Sequence, residues 1–387
     1  MVDYSTGWLD RVAIVGVGDT QVGKVPGVSS LALHQWAIRE AIEDAGLTRD
    51  DVDAVFTQPP YADPTFLHSV WVAKSLGIKP RYSADMNIGG ATPVGMLVHA
   101  ALAVANGLCN VAVISFAENA LSARGKPHHG RYNQQYEDYE RPYGRVGAPI
   151  GYALAARRHM YEYGTTSEQF GAIAVAMRKH AVMNPNSQMH DPITLSDHQA
   201  APYVVEPFRL LDCCLVSDGG GAVVVTTRDR AKDVKKSPVR ILGLGSCHPH
   251  KNIQSAETLS ETGARYSGSQ AFLQAGVSPK DINVAEIYDC FTYTVLVQLE
   301  DLGFCEKGEG GSFVEGGRIE LGGELPVNTH GGLLSQGHID GMLHIVEAVR
   351  QIRSECGSRQ VQEAELALVT GNGGELSTHW TAIMGRY

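Results

Sequence analysis

The chain has 387 residues, 43% of them hydrophobic and 19% charged, with a formal net charge of −10. That length suggests two or three domain-sized units with ample core, in an ordinary globular rather than disordered protein. The acidic balance argues against non-specific nucleic-acid binding, no apolar run reaches the roughly 18 residues of a spanning helix, and residues 1–10 lack a signal pattern, so a cytoplasmic protein is expected.

Residues 11–18, Arg-Val-Ala-Ile-Val-Gly-Val-Gly, read as a short buried strand. Gly16 and Gly18 are not followed by the third glycine of a dinucleotide-binding turn. A helical run over 29–45 comes next. Then Asn87-Ile-Gly-Gly-Ala-Thr-Pro-Val-Gly95 opens the apolar run 96–105, followed by a strand at 110–115. A helix apolar nearly all round belongs in the interior. Residues 118–197 differ in composition, with a polar, tyrosine-rich stretch at 126–143 and predicted helices at 151–163 and 167–184. A loop that long is usually functional or interfacial, so a cap or subunit contact is expected.

The second half repeats the first. Residues 240–245 return the strand pattern of 11–18, and 275–283 return the helix end of 45–53, both displaced by about 230 residues. The third matched element is Asn328-Thr-His-Gly-Gly-Leu-Leu-Ser-Gln-Gly-His-Ile-Asp-Gly341, which leads into the amphipathic run 342–353 and then a strand at 366–370. Each half reads strand, helix, strand, glycine-rich turn, buried helix, strand, an order that implies parallel strands with helices on their faces. His338 stands at the entrance to the second buried helix. Glycines there let a ligand approach the backbone, and an imidazole can change charge near neutral pH or donate to a developing anion. A structural turn with a capping histidine is the alternative.

Seven cysteines, at 109, 213, 214, 247, 290, 305 and 356, form no CxxC pair. Buried free thiols are expected, not a zinc knuckle or a redox site. Cys247-His248-Pro-His250 has ligand-type residues without a second cluster, so no metal is expected.

Duplicated halves, each with a glycine-rich turn into a buried helix, resemble the thiolase superfamily. Residues 328–341 resemble its Asn-x-x-Gly-Gly … Gly-His loop, without the proline usual after the histidine. Glu286-Ile-Tyr-Asp-Cys-Phe291 resembles the loop read Asn-Glu-Ala-Phe in biosynthetic thiolases and His-Asp-Cys-Phe in the sterol-carrier-protein type. Residues 210–220 resemble the latter's Cys-Cys-x-x-Ser-Asp-Gly segment, and Thr370-Gly-Asn-Gly-Gly374 stands in place of the last glycine-rich loop. The resemblance implies an α/β thiolase fold: duplicated mixed-sheet halves with buried helices between them and an inserted loop region. The N-terminal half would comprise 1–117 and 198–235, the insertion 118–197, and the C-terminal half 236–387.

The departures from the family pattern direct the chemistry. Gly90 (or Gly89) stands where the nucleophilic cysteine should be, Gly371 replaces the second cysteine, and Cys290 occupies a position that is structural in the family. Without a thiolate there is no acyl-enzyme. The remaining apparatus can hold a thioester enolate, which is all that retro-aldol cleavage of a β-hydroxyacyl thioester requires besides a base. Residues 288–292, 299–304 and 331–335 are accordingly similar to the thiolase-like aldolases that shorten steroid acyl-CoA side chains; those place a tyrosine at the position of His338.

This resemblance implies catalytic roles for His338, Tyr288, Asp289 and Tyr293. It also implies backbone donors at Gly90 and Gly373 and a loop-holding role for Asn328. Tyr288, as a phenol with an ordinary pKa of about 10, would need help from Asp289, His338 or water to act as a base. No cofactor is implied beyond the coenzyme A carried by the substrate. The implied assembly is a homodimer through the first-half sheets, with 110–115 as a candidate edge strand, plus a small OB-fold, often zinc-bearing, partner protein. Two other readings are an acyltransferase acting on a β-ketoacyl-CoA and a non-catalytic acyl-CoA- or lipid-binding subunit.

Overall fold

The unbroken apolar runs of this sequence become strands buried on both faces, as continuous hydrophobic sequence demands. A computed structural model describes residues 6–123, 141–145 and 147–387; most of the tyrosine-rich stretch, 126–140, lies outside them. The strands are β1 (Val12–Asp19), β2 (Ala54–Gln58), β3 (Tyr82–Asp85), β4 (Val111–Asn119), β5 (Tyr203–Val205), β6 (Phe208–Arg209), β7 (Asp218–Thr227), β8 (Val239–Cys247), β9 (Val284–Glu286), β10 (Leu366–Gly373) and β11 (Thr378–Arg386). Apart from the β5–β6 pair they form one sheet in the order β3-β2-β4-β7-β1-β8-β11-β10-β9.

The duplication is visible strand by strand. In the first half β2 runs parallel to β3 and β4, and β7 runs antiparallel to β4 and β1. In the second half β9 runs parallel to β10, and β11 runs antiparallel to β10 and β8. A parallel bridge between Ala285 and Val327 stands where the β2–β3 pairing stands in the first half. The halves join through one register pair, Ile14 with Val239. The parallel order read from the alternation of strands and helices therefore holds only for β3-β2-β4 and β9-β10. β10 and β11 are adjacent in sequence and pair antiparallel, a reversal that needs no crossover helix and leaves no mark in that alternation.

Residues 110–115 are not at an edge: β4 lies between β2 and β7. The first-half edge is β3, Tyr-Ser-Ala-Asp, whose residues are exposed or half-buried. Pairing order, which hydrophobicity does not encode, put it outermost.

Helices Thr92–Ala105 and Met342–Ile352 lie in the interior. Met96, Leu97 and Ala100 of the first share a core with Ile345, Val346 and Val349 of the second and with Ile14, Ile114 and Val369 of the strands. Each large aliphatic buried this way stabilises by about 1.5–3 kcal/mol, so the two glycine-rich turns are anchored on well-buried helices. Helices Ser30–Asp44 and His68–Leu76 cover the outer face of the first half. On the second half, Phe170, Ile173 and Met177 of the inserted helix Ser167–Met183 pack in one core with Tyr293 and Leu296 of helix Thr292–Asp301. This part of the insertion is thus core, not surface decoration. Among the described residues no helix is long and apolar enough to cross a membrane.

Candidate active site

Turns from both halves meet at the N-terminal ends of the two buried helices. In the first, Thr92 Oγ1 donates to the Gly89 carbonyl (2.5 Å) and accepts from Ile88 N–H (2.9 Å), which fixes the Gly89–Gly90 backbone. The last glycine-rich turn packs on it: a β-carbon on Gly373 would fall 1.7 Å from the Ile88 carbonyl oxygen, and one on Gly371 3.0 Å from that of Gly90. These two glycines permit backbone-to-backbone contact that a side chain would block.

Gly90 has a different neighbour. A β-carbon there would lie 2.0 Å from both Cζ and Oη of Tyr288. The phenol therefore fills the volume into which a side chain at position 90 would project. Tyr288 is only 4% exposed, and its backbone is held at both ends. Its N–H donates to Thr370 Oγ1 (3.0 Å), its carbonyl accepts from Gln298 Nε2 (2.9 Å), and Thr370 Oγ1 donates to Gln298 Oε1 (2.8 Å). Its ring stacks on His344 at 6.3 Å between centroids. Burial, reinforced by the charge of nearby Asp340, pushes the phenol well above its ordinary value. At neutral pH the Tyr288 phenol thus keeps its proton.

His338 sits on the facing turn, its side chain 26% exposed and its Nε2 3.8 Å from Asp340 Oδ1. Its N–H donates to Ser217 Oγ (3.0 Å). Gly341, at φ +80°, closes the turn against Tyr288, where a β-carbon would lie 3.1 Å from Cδ2. One four-residue turn therefore presents His338 and abuts the tyrosine.

Other residues singled out from sequence have different surroundings. The Asp289 carboxylate accepts from Leu333 N–H (2.8 Å), Leu334 N–H (3.3 Å) and His344 Nε2 (3.1 Å), so it props the π-type turn Gly332–Gln336. Tyr293 is fully buried, donates to the Leu259 carbonyl (3.1 Å) and packs on His159 and Phe170. Its hydroxyl and ring partners belong to the second-half core. Asn328, in the left-handed region at φ +50°, clamps Ile287 through both its backbone groups (2.6 and 2.8 Å). His330 and His379 are buried, and burial lowers them to about 4 and about 3, so both are neutral.

The sequence reading missed a polar group from the first half. Gln58 Nε2 donates to Asp340 Oδ2 (2.5 Å), as does Tyr61 Oη (2.7 Å). Glu118, at the end of β4, accepts from Tyr61 N–H (2.5 Å) and Ala62 N–H (3.2 Å). Its carboxyl is pushed up by burial and by Asp340. The only local signal was Pro59-Pro60 after a strand, which marks a turn but not its partner.

None of the cysteines is an activated nucleophile. All seven are free thiols, and burial raises every one, Cys290, Cys213, Cys109 and Cys305 to about 12. A thiol needs the opposite shift to attack at neutral pH. Among the described residues no group of three or more His, Cys, Asp or Glu could hold a metal. The arrangement offers a buried phenolic donor, an accessible imidazole and glycine backbone.

The family described as thiolase C-terminal domain-like matches residues 245–386. The chain is 40% identical over 375 residues to a steroid side-chain-cleaving aldolase of Thermomonospora curvata, covering 93% of this chain and 95% of that one. It is 38% identical over 385 residues to the 17-hydroxy-3-oxo-4-pregnene-20-carboxyl-CoA lyase of Mycobacterium tuberculosis, covering 94% and 97%. The solved structure described as Ltp2-ChsH2(DUF35) aldolase superposes with a TM-score of 0.89 at 39% identity, covering 97% of this chain and 98% of that one.

Proposed function

The chain belongs to the thiolase superfamily, alongside thiolase-like aldolases, and from that premise we propose that it is a carbon–carbon lyase cleaving a β-hydroxyacyl-CoA whose acyl group is a steroid side chain. The observation that carries this reading is the Tyr288 phenol in the space beside Gly90. The position that would bear a nucleophile is taken by a proton donor.

In the reaction, His338 accepts the proton of the substrate β-hydroxyl. The C–O bond becomes a carbonyl, the adjacent carbon–carbon bond breaks, and its electron pair moves to the α-carbon as a thioester enolate. The Tyr288 hydroxyl donates to the enolate oxygen, with the backbone of Gly90 and Gly373 beside it. Return of the proton to the α-carbon yields a ketone and a shortened acyl-CoA. Positioned proton transfer and oxyanion stabilisation of this kind suffice for the step. Asn328 and Asp289 hold the two loops, and Tyr293 belongs to the core that supports them.

The test is turnover of parallel panels of β-hydroxyacyl- and β-ketoacyl-CoA. Ketone plus shortened acyl-CoA is expected from the first panel, with none of the thiolysis of the second that an acyltransferase would give. Alkylating the accessible cysteines should leave this turnover intact, because none enters the reaction. Stoichiometric acylation of Cys290 by substrate would instead establish an acyltransferase. A non-catalytic acyl-CoA-binding subunit would turn over neither panel.

The partner named in the Ltp2-ChsH2(DUF35) structure supports a complex with a small OB-fold protein here, and seven unpaired thiols support a cytoplasmic location. The chain itself should be a homodimer through β3. Helix His68–Leu76 packs beside that edge and leaves Trp71 53% and Val70 44% exposed, next to Phe66 at 88%. An unpaired edge flanked by exposed apolar side chains is what association covers. Sedimentation at micromolar concentration should give a dimer, and Trp71→Asp should shift it to monomer; a monomeric wild type would overturn the assignment.

A further inference from the structure

We infer that Asp340 is a positioning residue for His338, fixed in place by Gln58 and Tyr61 of the opposite half. The inference rests on the reading of His338 as proton acceptor. Asp340 is 2% exposed and lies in the left-handed region at φ +46°, a conformation that aspartate tolerates better than most residues but that still requires support. The support is asymmetric. Gln58 Nε2 and Tyr61 Oη both donate to Oδ2, which leaves Oδ1 toward His338 Nε2 at 3.8 Å. Glu118 holds the Tyr61 backbone from the end of β4, so the anchor is itself anchored.

The chemistry follows from which nitrogen faces the carboxylate. An acceptor opposite Nε2 favours the tautomer that carries its proton there, which leaves the Nδ1 lone pair for the substrate hydroxyl. The same division of labour, with the ring nitrogens exchanged, operates wherever a buried aspartate orients a catalytic histidine. A separation of 3.8 Å is a charge-pair distance rather than a hydrogen bond, and such contacts tighten once substrate fills the site. The other titratable groups around Asp340 are Glu118, Tyr61, Tyr288, Cys214 and Cys290. At neutral pH the phenol of Tyr288 and both thiols are held protonated, so they do not compete as carboxylate-like acceptors.

The test is Asp340→Asn, which keeps shape and tolerance of the left-handed backbone but can offer an N–H to the imidazole. For β-hydroxyacyl-CoA cleavage, kcat should fall by at least about a hundredfold while KM stays within about threefold. Tyr61→Phe should cause a smaller fall and, added to Asp340→Asn, no further one. Nitrogen-15 spectra of labelled histidine should show the proton of neutral His338 on Nε2 in the wild type and on Nδ1 in Asp340→Asn. This readout needs no turnover, so a wild type inactive on every β-hydroxyacyl-CoA would remove the lyase reading without touching it. An unchanged tautomer in Asp340→Asn, or a defect confined to KM, would overturn the inference.

Discussion

Tyr288→Phe is expected to lower β-hydroxyacyl-CoA turnover by about a hundred- to thousandfold while leaving the fold and acyl-CoA affinity nearly unchanged. The substitution removes only the hydroxyl. Both backbone bonds of Tyr288, to Thr370 and Gln298, and the stack on His344 remain. Because burial keeps the phenol protonated, what is lost is a donor that matters most when negative charge develops on the thioester oxygen. His338→Ala should cost at least about a hundredfold, the usual scale for a positioned proton acceptor. It should be structurally mild, since the loop is tied to Ser217 through the His338 backbone rather than its ring. The double mutant should lose less than the product of the two factors, because both groups serve one step. Near-normal turnover in either single mutant, with an intact melting profile, would exclude that residue from the mechanism.

Gly90→Ala should be as damaging as loss of the Tyr288 hydroxyl, although it only adds one methyl group and removes no polar atom. Gly90 is not in the left-handed region, so alanine brings no backbone strain of its own. The damage is steric. The new carbon would fall 2.0 Å from Tyr288 Oη, and the ring cannot withdraw while its backbone is pinned and its face stacked. Overpacking of this kind costs about 1–3 kcal/mol, and the displaced hydroxyl leaves the reacting oxygen without its donor. A denaturant titration of Gly90→Ala, Tyr288→Ala and their combination separates the steric term. Tyr288→Ala opens a cavity that the alanine methyl partly fills, so the pair should destabilise by less than the sum of the singles. Strict additivity would mean that the two positions do not compete for the same space.

Contiguous elements were legible in the sequence. The near-constant offset between residues 11–53 and 240–283 exposed the duplication, because each copy repeats its own burial pattern and turn chemistry locally. The glycine-rich turns before helices Thr92–Ala105 and Met342–Ile352 were identifiable for the same reason, and with them His338, whereas Gly90 and Tyr288 were singled out through the family resemblance. Set against the family pattern, the glycine at position 90 (or 89) in place of a cysteine pointed to chemistry without an acyl-enzyme.

Tertiary structure decided what depends on distant residues converging. Asp289 follows Tyr288 in the chain, yet its carboxylate holds the turn Gly332–Gln336 while the phenol lies against Gly90. Tyr293 carries the same functional group as Tyr288, but its place on helix Thr292–Asp301 delivers it to the core. The sequence showed that position 90 lacks a side chain; only packing showed that a phenol occupies the space. Asp340 meets Gln58 and Tyr61 across 282 and 279 residues, a link that no local pattern records. Periodicity reports which face of an element is buried, because burial acts on each residue where it stands. What that face is buried against is set by strand order and helix packing, and the Tyr288–Gly90 packing and the bonds of Gln58 and Tyr61 to Asp340 exist only once the two halves have come together.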